Sequence, residues 1–218
     1  MDIKYLGHSS FQIKTKEARV VTDPYESGIG MKFPKTEADI VTISHHHGDH
    51  NNVKGIAGDP LVIDWPGEFE KQGVRIFGYK SYHDKEKGAK RGENNLYKFE
   101  AEGIAVLHCG DLGFVPDDAF VDNIGIVNIL MIPVGGFYTI DPDEAVSLIK
   151  KVEPHIVIPM HYNHPSLKQE TFGELATLQT FLEKMGATDV APVPKLTVKA
   201  DEFNDDDNTK IVVLDITS

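Results

Sequence analysis

The sequence predicts a layered α/β protein, and three features of its 218 residues support that prediction. The first half is a series of short apolar segments separated by glycines and polar turns, which is the pattern of β-strands. The second half alternates apolar segments with two stretches that have the length and periodicity of helices. No stretch rich in proline, glycine or serine divides the two halves. We therefore expect sheets covered by helices, in a single domain over residues 1–218.

The expected strands of the first half are short, and most are followed by a glycine or a polar turn. In chain order they are Asp2–Leu6, Phe11–Lys14, Arg19–Thr22, Asp39–Ile43, Leu61–Ile63, Val74–Tyr79, Leu96–Phe99 and Ile104–Leu107. The first three are close together in the sequence, which indicates an antiparallel meander.

The second half is expected to form strands and helices in alternation. In chain order these are strand Val127–Ile132, helix Asp143–Lys151, strand His155–Pro159, helix Thr171–Met185, strand Thr197–Ala200, a solvated loop Asp201–Lys210 and strand Ile211–Ile216. Asp141 is a suitable cap for the first helix, with Pro142 in its first turn. Gly186 is a suitable stop for the second helix.

Composition excludes several classes of partner. The formal net charge is −12 and no block of lysine or arginine stands out, which disfavours long nucleic acids and anionic membranes. No apolar run is long enough to cross a bilayer. The segment Met1–Tyr5 lacks the apolar core of a signal peptide, so we expect a cytoplasmic location. Cys109 is the single cysteine, which rules out an intrachain disulfide and fits a reducing compartment.

The segment from His45 to His50 is the strongest chemical signal. Histidine and carboxylate are the usual ligands of zinc and similar ions, and four such residues follow the apolar strand directly. They are His45, His47, Asp49 and His50. In an extended stretch His45 and His47 would face one ion, and a turn at Gly48 would direct the other two toward a second ion. A histidine-rich solvated loop is the alternative, but the H-x-H-x-D-H spacing at a strand end favours a two-metal site.

This motif resembles the signature of the metallo-β-lactamase superfamily, and further motifs occur in the matching order. They are Thr22-Asp23-Pro24, His83 in Ser81-Tyr82-His83-Asp84, Asp111 in Cys109-Gly110-Asp111 and His161 in Pro159-Met160-His161-Tyr162. The resemblance implies a four-layered αββα sandwich with two metals at one edge of the paired sheets. It also implies that Asp23 supports the metal loop without binding metal.

Within the superfamily the chain is similar to the branch of L-ascorbate-6-phosphate lactonase-like proteins and related hydrolases of unestablished substrate. The similarity lies in four segments: Tyr5-Leu6-Gly7-His8-Ser9-Ser10-Phe11, His108-Cys109-Gly110-Asp111-Leu112-Gly113, Pro133-Val134-Gly135-Gly136 and Pro159-Met160-His161-Tyr162.

The resemblance implies a metal-dependent hydrolase with two divalent ions that share a hydroxide, zinc being expected and manganese or iron being alternatives. The implied ligand set is His45, His47 and His83 for one ion, Asp49, His50 and His161 for the other, and Asp111 between them. Asp49 is also the candidate that carries a proton to the leaving group. A small ester, lactone or phosphodiester is the expected substrate. The rival interpretations are a phosphodiesterase or nuclease of the same fold and a metal-binding protein without catalysis.

Several residues keep two interpretations. His108 competes with His83 for the third-motif role, but it lies three residues before Asp111, so on a regular strand the two would face opposite sides. We favour His83, which leaves His108 near the pocket or simply packed. His8 lies in a turn and is either structural or close to the metals.

The segment Arg91-Gly92-Glu93-Asn94-Asn95 lies between the third-motif histidine and the bridging aspartate. It is either an ordinary hairpin loop or part of the pocket wall. In the second case Arg91 and Asn94 are pocket residues, and the guanidinium of Arg91 is suited to holding an anionic group.

Overall fold

The computed structural model describes residues 1–204 and 208–217. The strands in these ranges, numbered in chain order, are β1 Asp2–Gly7, β2 Ser10–Lys14, β3 Arg19–Thr22, β4 Thr36–Glu37, β5 Ile40–Thr42, β6 Ile56–Ala57, β7 Leu61–Ile63, β8 Gly67–Lys71, β9 Val74–Tyr82, β10 Glu93–Ala101, β11 Ile104–His108, β12 Ile129–Pro133, β13 Ile156–Met160, β14 Leu196–Thr197 and β15 Lys210–Ile211. The α-helices are α1 Asp118–Ile124, α2 Pro142–Val152, α3 Gln169–Phe172 and α4 Leu178–Lys184.

Two large sheets form the centre of the molecule. The first has the strand order β14-β1-β2-β3-β5-β7, and the second has the order β15-β13-β12-β11-β10-β9-β8. Strands β3, β5 and β7 run parallel to one another, as do β11, β12, β13 and β15. Loops that follow the carboxyl ends of parallel strands meet at one edge of a sheet, which is where open α/β sheets bind ligands.

Alternation along the first sheet separates two apolar faces. Ile3 and Tyr5 belong to the main core, whereas the next residue, Leu6, belongs to a separate cluster on the other face. Val20 and Val21 divide in the same way. This period of two is the geometry of a strand buried on both sides. The main core therefore lies between the two sheets, and a thinner apolar layer covers the outside of the first.

Helices cover the outer face of the second sheet. Helix α2 contacts α4, α1 and strand β12. Its start matches the prediction: the Asp141 side chain accepts from the Glu144 N–H, the Glu144 side chain accepts from the Asp141 N–H, and Pro142 follows the cap. This capping box satisfies two backbone donors that the helix leaves unpaired.

A different layer covers the outer face of the first sheet. There Val21 and Val41 pack with Ala38 and Ile56, next to the short parallel pair β4 and β6. Further along the same side, Phe172 of α3 packs with Tyr25 and its neighbours. The predicted α/β sandwich class is confirmed, although this outer layer contains little α-helix in the part of the chain that the structure describes.

Several secondary-structure predictions for the described residues were wrong or incomplete. The strand expected over Thr197–Ala200 is one of them, because β14 ends at Thr197 and a 3₁₀ turn spans Ala200–Glu202. The expected helix Thr171–Met185 is two short helices, α3 and α4, separated by an irregular segment. Of the expected strand Ile211–Ile216, only Ile211 belongs to a strand, β15, and Leu214 and Ile216 form isolated bridges. The sequence interpretation missed β4, β6, β8 and α1 altogether. The expected loop Asp201–Lys210 begins with a 3₁₀ turn, and its residues 205–207 lie outside the described ranges.

The α-helices of the described chain are all short, and none has the length and apolar character needed to cross a membrane.

Candidate metal centre

The predicted site residues converge at the carboxyl ends of the parallel strands. Asp23 directly follows β3, His45 follows β5, and His161 directly follows β13. Asp111 comes three residues after β11, and His83 comes directly after β9. The two sheets therefore deliver these side chains to a common edge from separate parts of the chain.

The histidine segment has a different backbone from the one expected. Residues 45–50 form bends and a turn rather than an extended stretch, and the His50 N–H donates to the His47 carbonyl at 2.9 Å. The rings of His45 and His47 still converge, with centroids 4.5 Å apart and nearly perpendicular planes. His46 points away, and its Nε2 lies 3.3 Å from Asp64 Oδ2 at the surface.

Metal-ligating atoms gather in three overlapping groups, and within each group they lie within 4.8 Å of one another. The groups are His45, His47 and His83; His8, Asp49, His50 and His161; and His45, His50 and Asp111. The first group is the set expected for one ion, and the second contains the three residues expected for the other ion together with His8. The third group contains one histidine from each of these sets together with Asp111. His83, rather than His108, therefore lies with the other candidate ligands.

Asp111 lies at the centre of this cluster. Its Oδ2 is 3.3 Å from His50 Nε2, 3.3 Å from His83 Nε2 and 3.2 Å from His161 Nε2. Two ligand atoms that share a tetrahedral zinc at about 2.0–2.1 Å are separated by about 3.3 Å, so these spacings fit metal coordination. Buried His45 Nε2 and Asp111 Oδ1 have no hydrogen-bond partner among the described residues. Unpaired buried polar atoms are costly, and coordination of a metal ion by these two atoms would remove that cost.

Asp23 orients two histidines of the cluster, His50 directly and His45 through Ser44. It is fully buried; its Oδ1 accepts from the Ser44 N–H at 2.7 Å, and its Oδ2 accepts from Ser44 Oγ at 2.6 Å. Asp23 Oδ2 also lies 2.9 Å from His50 Nδ1, which leaves His50 Nε2 directed at the cluster. A carboxylate behind a ligand histidine in this way sets its tautomer and raises its basicity.

Ser44 extends this support to His45. Its hydroxyl proton is used in the bond to Asp23, so at 2.9 Å its oxygen accepts from His45 Nδ1–H. His45 Nε2 is therefore the nitrogen with a free lone pair. The sequence interpretation missed this role of Ser44, although its place directly before the histidine segment was a usable signal.

Close backbone approaches position two further ligands. A Cβ on Gly113 would lie 2.5 Å from the His83 carbonyl oxygen, and a Cβ on Gly135 would lie 2.1 Å from that of His161. Only glycine permits these contacts. Asn94 holds Asp111 differently: it accepts from the Asp111 N–H at 2.8 Å and donates to the Cys109 carbonyl at 3.0 Å.

Three of the eight non-glycine residues with positive φ in the described chain lie at this edge. His8, Asp23 and His161 have φ of 56°, 41° and 51°, in the left-handed region that residues with a side chain seldom adopt. Such conformations cost free energy and persist where surrounding contacts fix them, often at functional sites. The His161 N–H donates to the His8 carbonyl at 2.9 Å, which is one of these contacts.

His108 is buried but lies outside all three ligand groups. Its Nδ1 accepts from the Gly110 N–H at 3.3 Å, so its Nε2–H donates to the Ser9 carbonyl at 2.8 Å. This satisfied pair of bonds makes it a packed residue that ties β11 to the turn after β1. Neither His108 nor Asn94 lines the pocket.

The protonation states of His45 and Asp111 suit metal binding. Burial, reinforced by the charge of His50, lowers the pKa of His45 well below its usual range. Burial opposes ionisation of Asp111, but His161 and His50 hold its pKa well below the usual range. A neutral imidazole and an ionised carboxylate are the forms that bind metal ions.

A pocket of about 500 Å³ opens over the cluster. Its floor includes His47, Asp49 and His83, and Arg91 lies on its wall. The sequence interpretation missed the other wall residues, which come from distant segments without a motif. They are Glu26, Gly28, Ile29, Lys90, Tyr138, Lys168, Thr171 and Phe172.

The fold and this cluster together define a metal-dependent hydrolase of the metallo-β-lactamase type. Residues 2–161 match the family model described as β-lactamase superfamily domain, so the chain belongs to that superfamily. It is 29% identical to a UPF0173 metal-dependent hydrolase of Thermococcus onnurineus, over 74% of this chain and 84% of the relative. It is 28% identical to a UPF0173 metal-dependent hydrolase of Bacillus cereus, over 85% of this chain and 96% of the relative.

A solved structure from Thermotoga maritima gives the same result. It is named as a candidate Zn-dependent hydrolase of the metallo-β-lactamase superfamily and is 34% identical to this chain. The match covers 98% of this chain and 97% of the other, with a TM-score of 0.80. The resemblance to the lactonase-like branch stays a prediction.

Proposed function

We propose that the chain hydrolyses a small ester, lactone or phosphodiester with two divalent ions held at the described cluster. The observation that carries the proposal is the position of Asp111, whose Oδ2 lies 3.2–3.3 Å from histidines of both ligand groups. A carboxylate in that position can hold two cations together and offset part of their repulsion.

The proposed ligands are the seven residues expected from the sequence. His45, His47 and His83 would hold one ion, Asp49, His50 and His161 the other, and Asp111 both. Divalent ions so held would supply Lewis acidity and a nucleophile at neutral pH, because they lower the pKa of water toward about 7. Zinc is the first choice for this nitrogen-rich set, with manganese and iron as alternatives. A histidine at position 47, rather than a glutamate, favours hydrolysis over diiron oxidation.

The protein's own groups would handle the proton. The Asp49 carboxylate lines the pocket with 23% of its side chain exposed, and its Oδ2 lies 3.1 Å from His8 Nε2. Asp49 would accept a proton from the attacking water and deliver it to the leaving group. His8 would hold the carboxylate in place while this happens.

The pocket volume supports a small-molecule substrate, since about 500 Å³ is in the range of ordinary ligand sites. We propose no long nucleic acid and no membrane as partner, in line with the net charge of −12. The shared core between both sheets supports a single domain over residues 1–218. The cytoplasmic location stays a prediction.

The test is turnover of a panel of generic substrates by protein with a measured metal content. The panel contains p-nitrophenyl acetate, dihydrocoumarin and bis-p-nitrophenyl phosphate, assayed after loading with zinc, manganese or iron and after chelation. We expect hydrolysis of at least one substrate, and we expect a chelator to inhibit it. Asp111→Ala should abolish this activity, whereas His46→Ala should retain it, because His46 faces Asp64 at the surface. Bound metal without turnover on the whole panel would favour the non-catalytic interpretation.

A further inference from the structure

The loop between His83 and β10 is closed by a single carboxylate. Asp84 Oδ1 accepts from the Glu86 and Gly88 N–H groups at 2.8 and 2.9 Å. Asp84 Oδ2 accepts from the Lys90 and Arg91 N–H groups at 2.9 and 2.8 Å. Four backbone bonds to an ionised group are strong, so the loop is held in one form. The backbone of Arg91 is thereby fixed relative to the metal ligand that precedes Asp84.

Arg91 differs from the other two arginines of the chain. Arg19 pairs with Glu37 at 2.7 Å, and Arg75 pairs with Glu100 at 3.2 Å. Arg91 has no carboxylate partner among residues 1–204 and 208–217, and its guanidinium carbon lies 5.4 Å from the Tyr138 ring centroid. Contact with an aromatic face restricts the guanidinium while its N–H groups remain available to a ligand.

Arg91 differs from the other two cations of the pocket wall, which have carboxylate partners. The pocket also includes Lys90 and Lys168, but these pair with Glu86 and Glu170 outside its lining. Glu26 is the acidic residue of the wall; its backbone N–H donates to the Gly48 carbonyl at 3.1 Å, and its carboxylate has no cation partner among the described residues. The unpaired positive charge of the wall is therefore that of Arg91 within the described chain.

Apolar surface accompanies this charge. Tyr138 and Phe172 both line the pocket, with ring centroids 6.4 Å apart, and Ile29 belongs to the same apolar cluster as Phe172. The pocket thus combines a metal-binding floor, an aromatic wall and one unpaired guanidinium.

We propose that the substrate carries an anionic group, a carboxylate or phosphate, separate from the bond that is broken, and that Arg91 binds this group. The apolar body of the substrate packs against Tyr138 and Phe172 while its scissile group faces the metal ligands. Asp84 is a positioning residue for this recognition, because it fixes the loop that presents Arg91. The inference rests on the proposed hydrolase function at the same site.

The first test compares two esters of similar size that differ in charge. They are p-nitrophenyl butyrate, which is neutral, and mono-p-nitrophenyl succinate, which ends in a carboxylate. We measure the ratio of kcat/KM for the succinate to that for the butyrate. Arg91→Ala should lower the ratio about 10–100-fold, the range of a hydrogen bond to a charged group. Arg91→Lys should lower it less, because it keeps the charge but loses the bidentate fork.

The matched control is Arg75→Ala. Arg75 also lies over an aromatic ring, Phe77 at 4.9 Å, but it pairs with Glu100 at the opposite end of β9 from His83. Its replacement should leave the ratio unchanged. Asp84→Asn should lower the ratio mainly through KM for the succinate, because an amide can no longer accept all four backbone bonds.

Calorimetric titration with phenylphosphonate separates this inference from the proposed function. Phenylphosphonate is anionic, has an aromatic body and contains no hydrolysable ester. Its affinity for the metal-loaded protein should fall about 10–100-fold in Arg91→Ala and stay constant in Arg75→Ala. If this difference is found but neither these esters nor any substrate of the panel is hydrolysed, the anion site stands and the proposed hydrolysis fails. If Arg91→Ala binds phenylphosphonate as tightly as the wild type, the proposed anion site is wrong, regardless of the result of the ester assays.

Discussion

His8 and Asp49 are 41 positions apart in the sequence, yet His8 Nε2 lies 3.1 Å from Asp49 Oδ2. His8 also contacts a second candidate ligand, His161. The two ring centroids are 4.3 Å apart, and the His8 carbonyl accepts a hydrogen bond from the His161 N–H. His8 is fully buried in the left-handed backbone region. The turn between the first two strands therefore contacts two candidate ligands, Asp49 and His161.

Replacement of His8 tests this link. Asn is the conservative choice, because it tolerates a positive φ but is too short to reach Asp49. We expect His8→Asn to weaken binding of one of two ions about 10–100-fold, as loss of a supporting bond does, and to leave the other ion bound. Competition titration against a metal indicator measures both affinities, with His46→Asn as control. Complete loss of one ion at every metal concentration would instead make His8 a ligand.

Metal loading should give up to two divalent ions per chain, because two groups of ligand atoms flank Asp111. Binding to the folded state alone stabilises it by about 4 kcal/mol at a free concentration 1,000 times Kd. For a chain of this size that corresponds to a rise in Tm of about 8–16 °C. Elemental analysis and thermal melts with and without chelator measure the two quantities. If elemental analysis finds no bound transition metal after the loading step, the proposed function loses its basis.

Asp111→Ala should damage the site more than His108→Ala. Asp111 Oδ2 lies beside three histidine nitrogens, whereas His108 bonds the Ser9 carbonyl and the Gly110 N–H. We expect Asp111→Ala to lower metal affinity more than about 100-fold, beyond the loss typical of a supporting residue. His108→Ala should keep the metal content and lose about 1–3 kcal/mol of stability, because the Ser9 carbonyl loses its buried donor.

The same metal measurement tests the choice between the two histidines. His83→Ala should lose an ion, since its Nε2 lies 3.3 Å from Asp111 Oδ2. Removal of a metal by His108→Ala, with both ions retained by His83→Ala, would reverse the ligand assignment.

The fold class could be anticipated because it is encoded locally, and the seven candidate ligands because their motifs resemble those of the metallo-β-lactamase superfamily. The strand alternation of Val20 and Val21 and the capping box of Asp141 each depend on neighbours within a few residues. The ligand types follow strand ends at recognisable spacing. Sequence patterns of this kind predict local structure well, because the backbone geometry of a strand or cap is nearly the same in every protein.

The errors arose where distant backbone pairing overrode local preference. The expected helix over 171–185 breaks because the Ala176 N–H donates to the Gly135 carbonyl at 2.7 Å, and the Ala176 carbonyl accepts from Asn163 at 2.9 Å. The break serves the site, since Gly135 also packs against the His161 carbonyl. No periodicity in the segment itself reveals partners 13 and 41 positions away. The roles of Tyr138 and Phe172 in the pocket were hidden for the same reason.

Asp141→Ala tests the one helix start that the sequence predicted in detail. The Asp141 side chain accepts from the Glu144 N–H at 2.9 Å, and its loss should cost about 1 kcal/mol of unfolding free energy. Asp143→Ala is the matched control, because Asp143 lies in the same turn but only pairs with Lys184 at the surface. Chemical denaturation of both variants measures the difference. Equal stability of the two would show that the cap contributes nothing.

The last prediction separates a small-molecule hydrolase from a nuclease of the same fold. The net charge of −12 opposes the approach of a long polyanion, whose many phosphates would meet the acidic surface beyond the pocket. A compact anion would be attracted at contact distance by Arg91 and by the two cations proposed for the site, while solvent ions screen the surface charge beyond roughly 8–10 Å. We therefore expect metal-loaded protein to hydrolyse a small ester, lactone or phosphodiester and to leave single-stranded RNA and duplex DNA intact. The assay compares both substrate classes at equal enzyme concentration and at two salt concentrations, with Asp111→Ala as the inactive control. Efficient metal-dependent cleavage of RNA or DNA, with the small substrates untouched, would establish the nuclease instead.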